Sequence, residues 1–464
     1  MTAVDDVMAG EEQADRFVVV STDSHAGAKR LADFEPYVES AFRERLASLY
    51  NVNTELRLPG MMYGPENPSV DEADPVRRAL IRLMLRWGVP AERVYQCAPH
   101  YSSDTIEGGG DFGHRLAVTE QHGVAAEVYN PAPMLDGVIP PLSRLYGTKF
   151  RTKLDDEFTL AMKHGYNRWL ADLCNAAPGR RAGLIQADFT NMERAVADIR
   201  RFRDAGLFGG VSIPVPDATF DLPGYADPDY WEPLWSVLEE LAIPAYVHAG
   251  GDAPDASAMY GPDAAVAWEL YSYEFWFYAR RVFWLLMFGG AFDRHPGLKL
   301  VIGENNGGWV PGVLGEMEAH LDVFWHTPAR HKLKMRPTEY FVRHVYIAAS
   351  VLTRQEVEAR HEIGLDNLCW GSDYPHPEGA SPLVRSVIKH QVGGLPADEI
   401  GKLLGLNALK VWDFDKKAVF DAAQRIGPTE EELRQALSPE EIPANFSGVL
   451  AAIPVSLAER PGER

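Results

Sequence analysis

Three short phrases in this chain place metal-binding or proton-carrying side chains where apolar runs end. The first is Asp23-Ser24-His25, which closes "FVVVSTDSH". If that run is a strand, residues two apart face the same side, so Asp23 and His25 enter one space together. The second is His248, alone at the end of "IPAYVHAGG", and the third is "GSDYPHPEG", which offers Asp373, His376 and Glu378. Each has a plain reading: Asp23 as a cap beside a satisfied His25, His248 as a core histidine, and the last phrase as a turn rich in Ser, Asp and Pro. Together they point elsewhere. Carboxylate oxygens and imidazole nitrogens are the donors that suit Zn, Fe or Mn. Asp23, His25, His248 and Asp373, gathered at three strand ends, favour a metal site.

A fourth phrase, "GENNGGWVP", puts Glu304 and Asn305 between the apolar run "LKLVI" and the helical stretch "WVPGVLGEMEAHL". A buried carboxylate costs several kcal/mol unless a cation or several donors offset it. Glu304 is therefore either a helix cap in a solvated loop or a member of the same site. With Asp23, Glu304 and Asp373 converging, one divalent ion leaves the cluster negative and two make it positive. Two ions with Glu304 as a ligand is the expected arrangement. The alternative is one ion with a protonated Glu304 acting as an acid.

The elements that must position these groups are legible as an alternation. Eight apolar runs qualify as strands: 17–25, 124–133, 181–189, 208–216, 243–251, 298–306, 344–350 and 367–373. Amphipathic stretches such as "TNMERAVADIRRFRDA" and "DPDYWEPLWSVLEELA" separate them, with apolar residues at helical spacing. Repeated strand–helix alternation predicts a parallel (β/α)8 TIM barrel, whose chemistry gathers at the C-terminal ends of its strands. Residues 1–16 read as a flexible N-terminus, 17–427 as the barrel, and 428–464 as a C-terminal helix and arm. Two insertions, at about 26–110 and 252–292, read as a cap. The aromatic-rich "FWFYARRVFW" within the second is expected to roof the pocket, with Trp276, Arg280, Arg281 and Asn305 touching substrate. Arg280 and Arg281 have a plainer reading, as cations reaching outward from a core helix.

Composition narrows the partners. Of 464 residues, 46% are hydrophobic and 11% aromatic, ample for a large core. Lys plus Arg number 45 against 66 Asp plus Glu, a formal charge of −21. That argues against nucleic acid and anionic membranes as partners. The opening "MTAVDDVMAGEEQADRF" is acidic and lacks an apolar centre, so no signal peptide is expected. The most apolar stretch, Phe275–Phe292, is split by Arg280 and Arg281 and falls short of the roughly 20 apolar residues of a spanning helix. Cys97, Cys174 and Cys369 stand apart with no CxxC spacing. A reducing, cytoplasmic setting is expected, with no disulfide framework.

The chain resembles the amidohydrolase superfamily, in the branch grouped with aminocarboxymuconate-semialdehyde decarboxylase. "FDRHPGLKLVIGENNGGWVP" and "CWGSDYPHPEG" carry the resemblance most specifically. It runs from about Phe17 to Asp415 and takes in the closing helix "LPADEIGKLLGLNALKVWDFD". The resemblance implies a divalent metal on Asp23, His25, His248 and Asp373. Many members have H-x-H on strand one where this chain has Asp23-Ser24-His25. Decarboxylases of the branch often place a histidine after strand six, where this chain has Glu304 or Asn305.

A metal in such a mouth lowers the pKa of bound water to about 7 in favourable sites and polarises a carbonyl. The resemblance then implies that Asp373 shuttles a proton, with His376 orienting it or stabilising an oxyanion. Because Glu304 does not supply the strand-six imidazole, hydrolysis of an ester, thioester, amide or lactone is the main expectation. "STDSHAGA" and the carboxylate-rich site are also similar to the diiron thioesterases that remove coenzyme A from diterpenoid acyl groups in antibiotic biosynthesis. That similarity implies two iron ions, with Zn or Mn as alternatives, an acyl-CoA thioester substrate and a homodimer. Non-oxidative decarboxylation is the runner-up, and a non-catalytic binding barrel the third reading.

Overall fold

A computed structural model describes residues 15–28, 31–56, 109–131, 156–215, 222–249, 264–328, 332–350, 352–376, 379–438 and 441. Eight strands follow one another in a single parallel sheet: β1 (Val20–Ala26), β2 (Ala126–Pro131), β3 (Arg181–Gln186), β4 (Gly210–Ser212), β5 (Ala245–His248), β6 (Leu300–Gly303), β7 (Val345–Ala349) and β8 (Leu368–Trp370). All eight expected strands are present. β8 returns to β1 through a parallel bridge between Ser24 and Tyr374 and two backbone bonds: His25 N–H to the Tyr374 carbonyl (2.7 Å) and Asp373 N–H to the Asp23 carbonyl (2.9 Å). The barrel is therefore closed at the level of the candidate ligands.

Helices lie between the strands: α1 (Phe112–Gln121), α2 (Asp156–Asn175), α3 (Met192–Asp204), α4 (Pro228–Glu240), α5 (Ala264–Phe288), α6 (Val310–Val323) and α7 (Pro337–His344), with α8 (Val384–Val392) after β8. Local chemistry accounts for their ends. Asn191 caps α3 by accepting from Arg194 N–H, and Arg201 and Arg203 in its last turn oppose the helix dipole. Asp227 caps α4, with Pro228 at its first position. The buried faces recur every three or four residues: Ala195, Ile199 and Phe202 on α3, and Trp231, Leu234, Trp235 and Leu238 on α4.

The barrel's interior is a cluster of its own. Val18, Val20, Ala126, Val128, Ala182, Leu184, Tyr246, Val301 and Ala348 meet inside, while Val19, Ile185, Val211, Val247, Ile302 and Ile347 face the helices. Trp412 and Phe414, at the end of the expected closing helix, join the interior cluster from below, with Trp412 Nε1 donating to the Gly209 carbonyl (2.7 Å). Its lower end is plugged, so chemistry is left to the mouth.

β1 changes face partway along. Ser21 pairs with Glu127 and Ser24 with Tyr129, three residues of β1 against two of β2. Such a bulge shifts side-chain parity by one. Val18 and Val20 point inward below it, and Asp23 and His25 point inward above it. Hydroxyls hold the bulge: Ser21 Oγ lies 2.9 Å from both Ser24 Oγ and Ser372 Oγ, and accepts from Ser372 N–H at 2.8 Å.

Gly303, at the top of β6, makes room for Tyr246. A β-carbon there would overlap Cε1, Cζ and the hydroxyl of Tyr246, whose hydroxyl donates to the Thr22 carbonyl (3.1 Å). We predict that Gly303→Ala costs about 1–3 kcal/mol through overpacking and weakens metal binding by displacing the ring beneath Asp23. Thermal melting and metal titration check this. An unchanged melting temperature would mean that the ring has space to yield.

Several sequence expectations fall outside the described residues: 57–108 of the first insertion, 250–263 of the second, Glu378, Cys97 and residues 442–464. The expected roof is corrected where it can be seen. Ala279, Val282, Phe283, Leu286 and Met287 of α5 are buried in the wall core, so this half of the segment is a barrel helix. Its apolar content covers the wall because one face repeats at helical spacing. Among the described residues no helix is long and apolar enough to cross a membrane.

Candidate metal centre

Asp23, His25, His248 and Asp373 meet at the mouth, as their places at the strand ends require. His25 Nε2 lies 3.2 Å from Asp373 Oδ1 and 3.7 Å from Asp23 Oδ1, and His248 Nε2 lies 3.4 Å from Asp23 Oδ1. All four are at least four-fifths buried. Among the described residues two groups could hold an ion: Asp23, His25 and His248, and His25, Asp373 and His376.

The hydrogen bonds around the cup decide its character. His25 Nδ1 meets the Pro131 carbonyl at 2.9 Å, and His248 Nδ1 meets that of Ala249 at 2.7 Å. A carbonyl only accepts, so each Nδ1 carries the hydrogen and, in the neutral ring that binds a metal, each Nε2 presents a lone pair. Those lone pairs face carboxylate oxygens, acceptor against acceptor. His25 Nε2, His248 Nε2 and both Asp373 oxygens are buried and accept or donate no hydrogen bond. Bare acceptors packed this closely repel one another unless a cation lies between them. Ligands about 2.1 Å from one tetrahedral ion stand about 3.4 Å apart, close to the spacings seen. The residues fit a divalent ion.

Asp23 is oriented by three donors. Its Oδ1 accepts from Asn130 Nδ2 (2.8 Å), and its Oδ2 accepts from Glu304 N–H (2.9 Å) and from the Ser350 hydroxyl. Asn130 and Ser350 had no role in the sequence reading, although each is a polar residue ending an apolar strand. That signal marks the candidate ligands too.

Electrostatics follow the same pattern. Burial works against charge on His248, yet the carboxylates of Asp23 and Glu304 carry its pKa up to about 9. A group so drawn to a proton is equally drawn to a cation. For His25, burial and the His376 ring lower the pKa, outweighing the nearby aspartates. For Asp373, burial pushes upward, but the imidazoles of His376 and His25 hold it well below the usual carboxylate range.

Glu304 and His376 take positions the sequence did not fix. Glu304 lies beside His248, Oε2 to Nδ1 at 3.3 Å, and belongs to neither group of potential ligands. His376 Nδ1 lies 3.1 Å from Asp373 Oδ1, and its ring stacks on His25 with centroids 3.8 Å apart. Asn305 is buried, with Oδ1 accepting from Arg280 Nε (2.8 Å) and Nδ2 donating to the Gly303 carbonyl (3.2 Å). Both ends of that amide are engaged within the protein. Trp276 is half-buried on α5, and Arg281 lies over the Tyr278 ring at 5.5 Å.

A family model described as amidohydrolase matches residues 124–414. A gamma-resorcylate decarboxylase from Rhodococcus jostii (strain RHA1) is 27% identical over 223 residues, which cover 45% of this chain and 64% of that protein. The chain thus spans under two thirds of the length of the curated relatives it matches. The 5-carboxyvanillate decarboxylase structure from Sphingomonas paucimobilis aligns with TM-score 0.55 and 19% identity, covering 86% of this chain and 99% of that one. A 5-carboxyvanillate decarboxylase from Novosphingobium aromaticivorans DSM 12444, complexed with manganese and 4-hydroxy-3-methoxy-5-nitrobenzoic acid, aligns with TM-score 0.54 and 17% identity, covering 85% and 96%. These two likenesses establish the fold alone.

Proposed function

The chain belongs to the amidohydrolase family, and from that premise we propose that it is a metal-dependent, non-oxidative decarboxylase of a hydroxylated aromatic carboxylic acid. The expectation of hydrolysis is corrected by the curated relatives, which are named as gamma-resorcylate decarboxylases. The coenzyme A thioester, the diterpenoid acyl group and the link to antibiotic biosynthesis fall with it. The hydrolytic expectation leaned on Glu304 not supplying the strand-six imidazole of the branch's decarboxylases; in the structure Glu304 Oε2 lies 3.3 Å from His248 Nδ1.

The observation that carries the proposal is the buried cup of Asp23, His25, His248 and Asp373, in which His25 Nε2, His248 Nε2 and both Asp373 oxygens accept no hydrogen bond. We take it to hold one divalent ion. The two possible ligand groups share His25, and one Nε2 lone pair serves one ion. The oxygen and imidazole donors suit Mn, Fe or Zn. Such an ion supplies positive charge that binds a carboxylate with a neighbouring hydroxyl oxygen and draws electron density from the ring.

The remaining work belongs to side chains. The bond from ring carbon to carboxyl breaks, carbon dioxide leaves, and the electron pair stays on the ring carbon, which takes up a proton. Asp373 and His376, joined at 3.1 Å, are placed to hold that proton, on Asp373 Oδ1 or His376 Nδ1. An imidazole from the segment after β8 thus does what Glu304, after β6, cannot. Asn130 and Ser350 keep Asp23 from turning toward the substrate.

Incubating the Mn2+-loaded protein with 2,6-dihydroxybenzoate, 5-carboxyvanillate and related hydroxybenzoates should release carbon dioxide and the matching phenol in equal amounts. The best substrate should reach kcat/KM of about 10^4 M−1 s−1 or more, and chelation should abolish it. Free thiol from an acyl thioester, with no carbon dioxide from any aromatic acid, would sink the proposal.

A further inference from the structure

Arg115 on α1 is fully buried, and the chemistry above does not use it. Its guanidinium forks onto Glu127 of β2, with Nη2 to Oε1 at 2.6 Å and Nε to Oε2 at 3.3 Å. Nη1 donates to the His25 carbonyl at 2.8 Å, and Nη2 lies 3.5 Å from that of Tyr374. The Tyr129 and Tyr374 rings flank it at 4.9 and 4.5 Å, and the Tyr129 hydroxyl donates to Glu127 Oε2 at 2.7 Å.

Those two carbonyls mark the seam where β8 meets β1. Every other neighbouring pair of strands is held by a run of paired residues, but this one has a single bridge. His25 and Asp373 stand on opposite sides of it, 3.2 Å apart. We infer that Arg115 is a positioning residue, which spans the seam through the His25 and Tyr374 carbonyls and thereby sets how tightly the cup binds its cation. The inference rests on the metal reading of the cup and is independent of the reaction. Lysine cannot replace the fork, because an ammonium is a point charge without planar, paired donors.

The test uses full-length, chelator-stripped protein titrated with Zn2+ below its melting transition. Arg115→Lys should raise the Zn2+ Kd by about 10–100-fold, the usual effect of losing support behind a ligand. Glu127→Gln keeps the guanidinium and its bond to His25. It should lower the melting temperature while leaving the Kd near that of wild type. If Arg115→Lys does not fold, the neutral pair Arg115→Gln with Glu127→Gln takes its place and should show the same rise. A wild-type Kd in Arg115→Lys or in the neutral pair would overturn the inference, as would an equal rise in Glu127→Gln, which would mean general loosening. A wild-type protein that takes no Zn2+ would overturn the metal reading, and this inference with it.

Discussion

Asp373→Asn should lower kcat of the metal-loaded protein by about 10^3-fold, within the range for losing a positioned acid–base group. The substitution is well suited to isolating chemistry from folding. Asp373 sits at φ 54°, in the left-handed region that asparagine also tolerates. Neither carboxylate oxygen accepts a hydrogen bond from the rest of the fold, so the loss is confined to the site. What is lost is a ligand beside His25 and the partner of His376 at 3.1 Å. Metal occupancy should fall as well, because an amide is a poorer ligand than a carboxylate. Carbon dioxide release gives the rate and elemental analysis gives the metal. Full activity would remove Asp373 from the chemistry. Wild-type occupancy with the rate lost would keep it as a proton carrier and deny it a ligand's role.

The barrel and the meeting of the four candidate ligands were readable because both are written in local pattern. Apolar runs of strand length alternate with helical stretches, and a polar residue at the end of a run faces the mouth. Asp23, His25, His248 and Asp373 each obey that rule. What was not readable depends on register or on distant partners. The β1 bulge leaves no trace in hydropathy, since Ser21, Thr22 and Ser24 look alike whichever way the strand turns. Arg115, in "DFGHRLAVTEQ", reads as a solvated helix charge until β2 brings Glu127 to it. The placing of residues 279–287 in the wall was hidden for a similar reason. The aromatics of α5 fill the sequence evenly, and only packing shows that Val282, Phe283 and Leu286 face the wall.

Left-handed backbone at residues other than glycine is equally invisible in sequence. Of the three such residues among those described, Ala242, Glu304 and Asp373, two belong to the candidate site. Strain of this kind gathers at functional positions because the surrounding structure must hold it there. At Glu304 the turned backbone directs its N–H onto Asp23 Oδ2 at 2.9 Å, so the strain has an identifiable use.

That use yields a prediction of two opposite signs. Glu304→Gly should stabilise the fold and impair the site. Relief of the left-handed conformation is worth about 1–2 kcal/mol, and the added freedom of glycine in the unfolded chain returns about 0.4–1 kcal/mol. A net gain of about 0.5–1 kcal/mol is expected, with the N–H to Asp23 retained. The side chain is another matter. Its carboxylate lies 3.3 Å from His248 Nδ1 and helps fix the ring whose Nε2 faces the ion. Removing it should weaken metal binding by about 10–100-fold, as loss of a carboxylate behind a ligating histidine does. Glu304→Gln separates the two effects, since it keeps the strained backbone and loses the charge; it should bind metal as poorly without any gain in stability. Stoichiometry tests the bridging role expected from the sequence. A bridging Glu304 would take saturated occupancy from about two ions per chain to about one, whereas a positioning Glu304 leaves it at about one throughout, because every ligand of the single ion remains. Wild-type affinity in both variants would show that His248 is held by the Ala249 carbonyl alone.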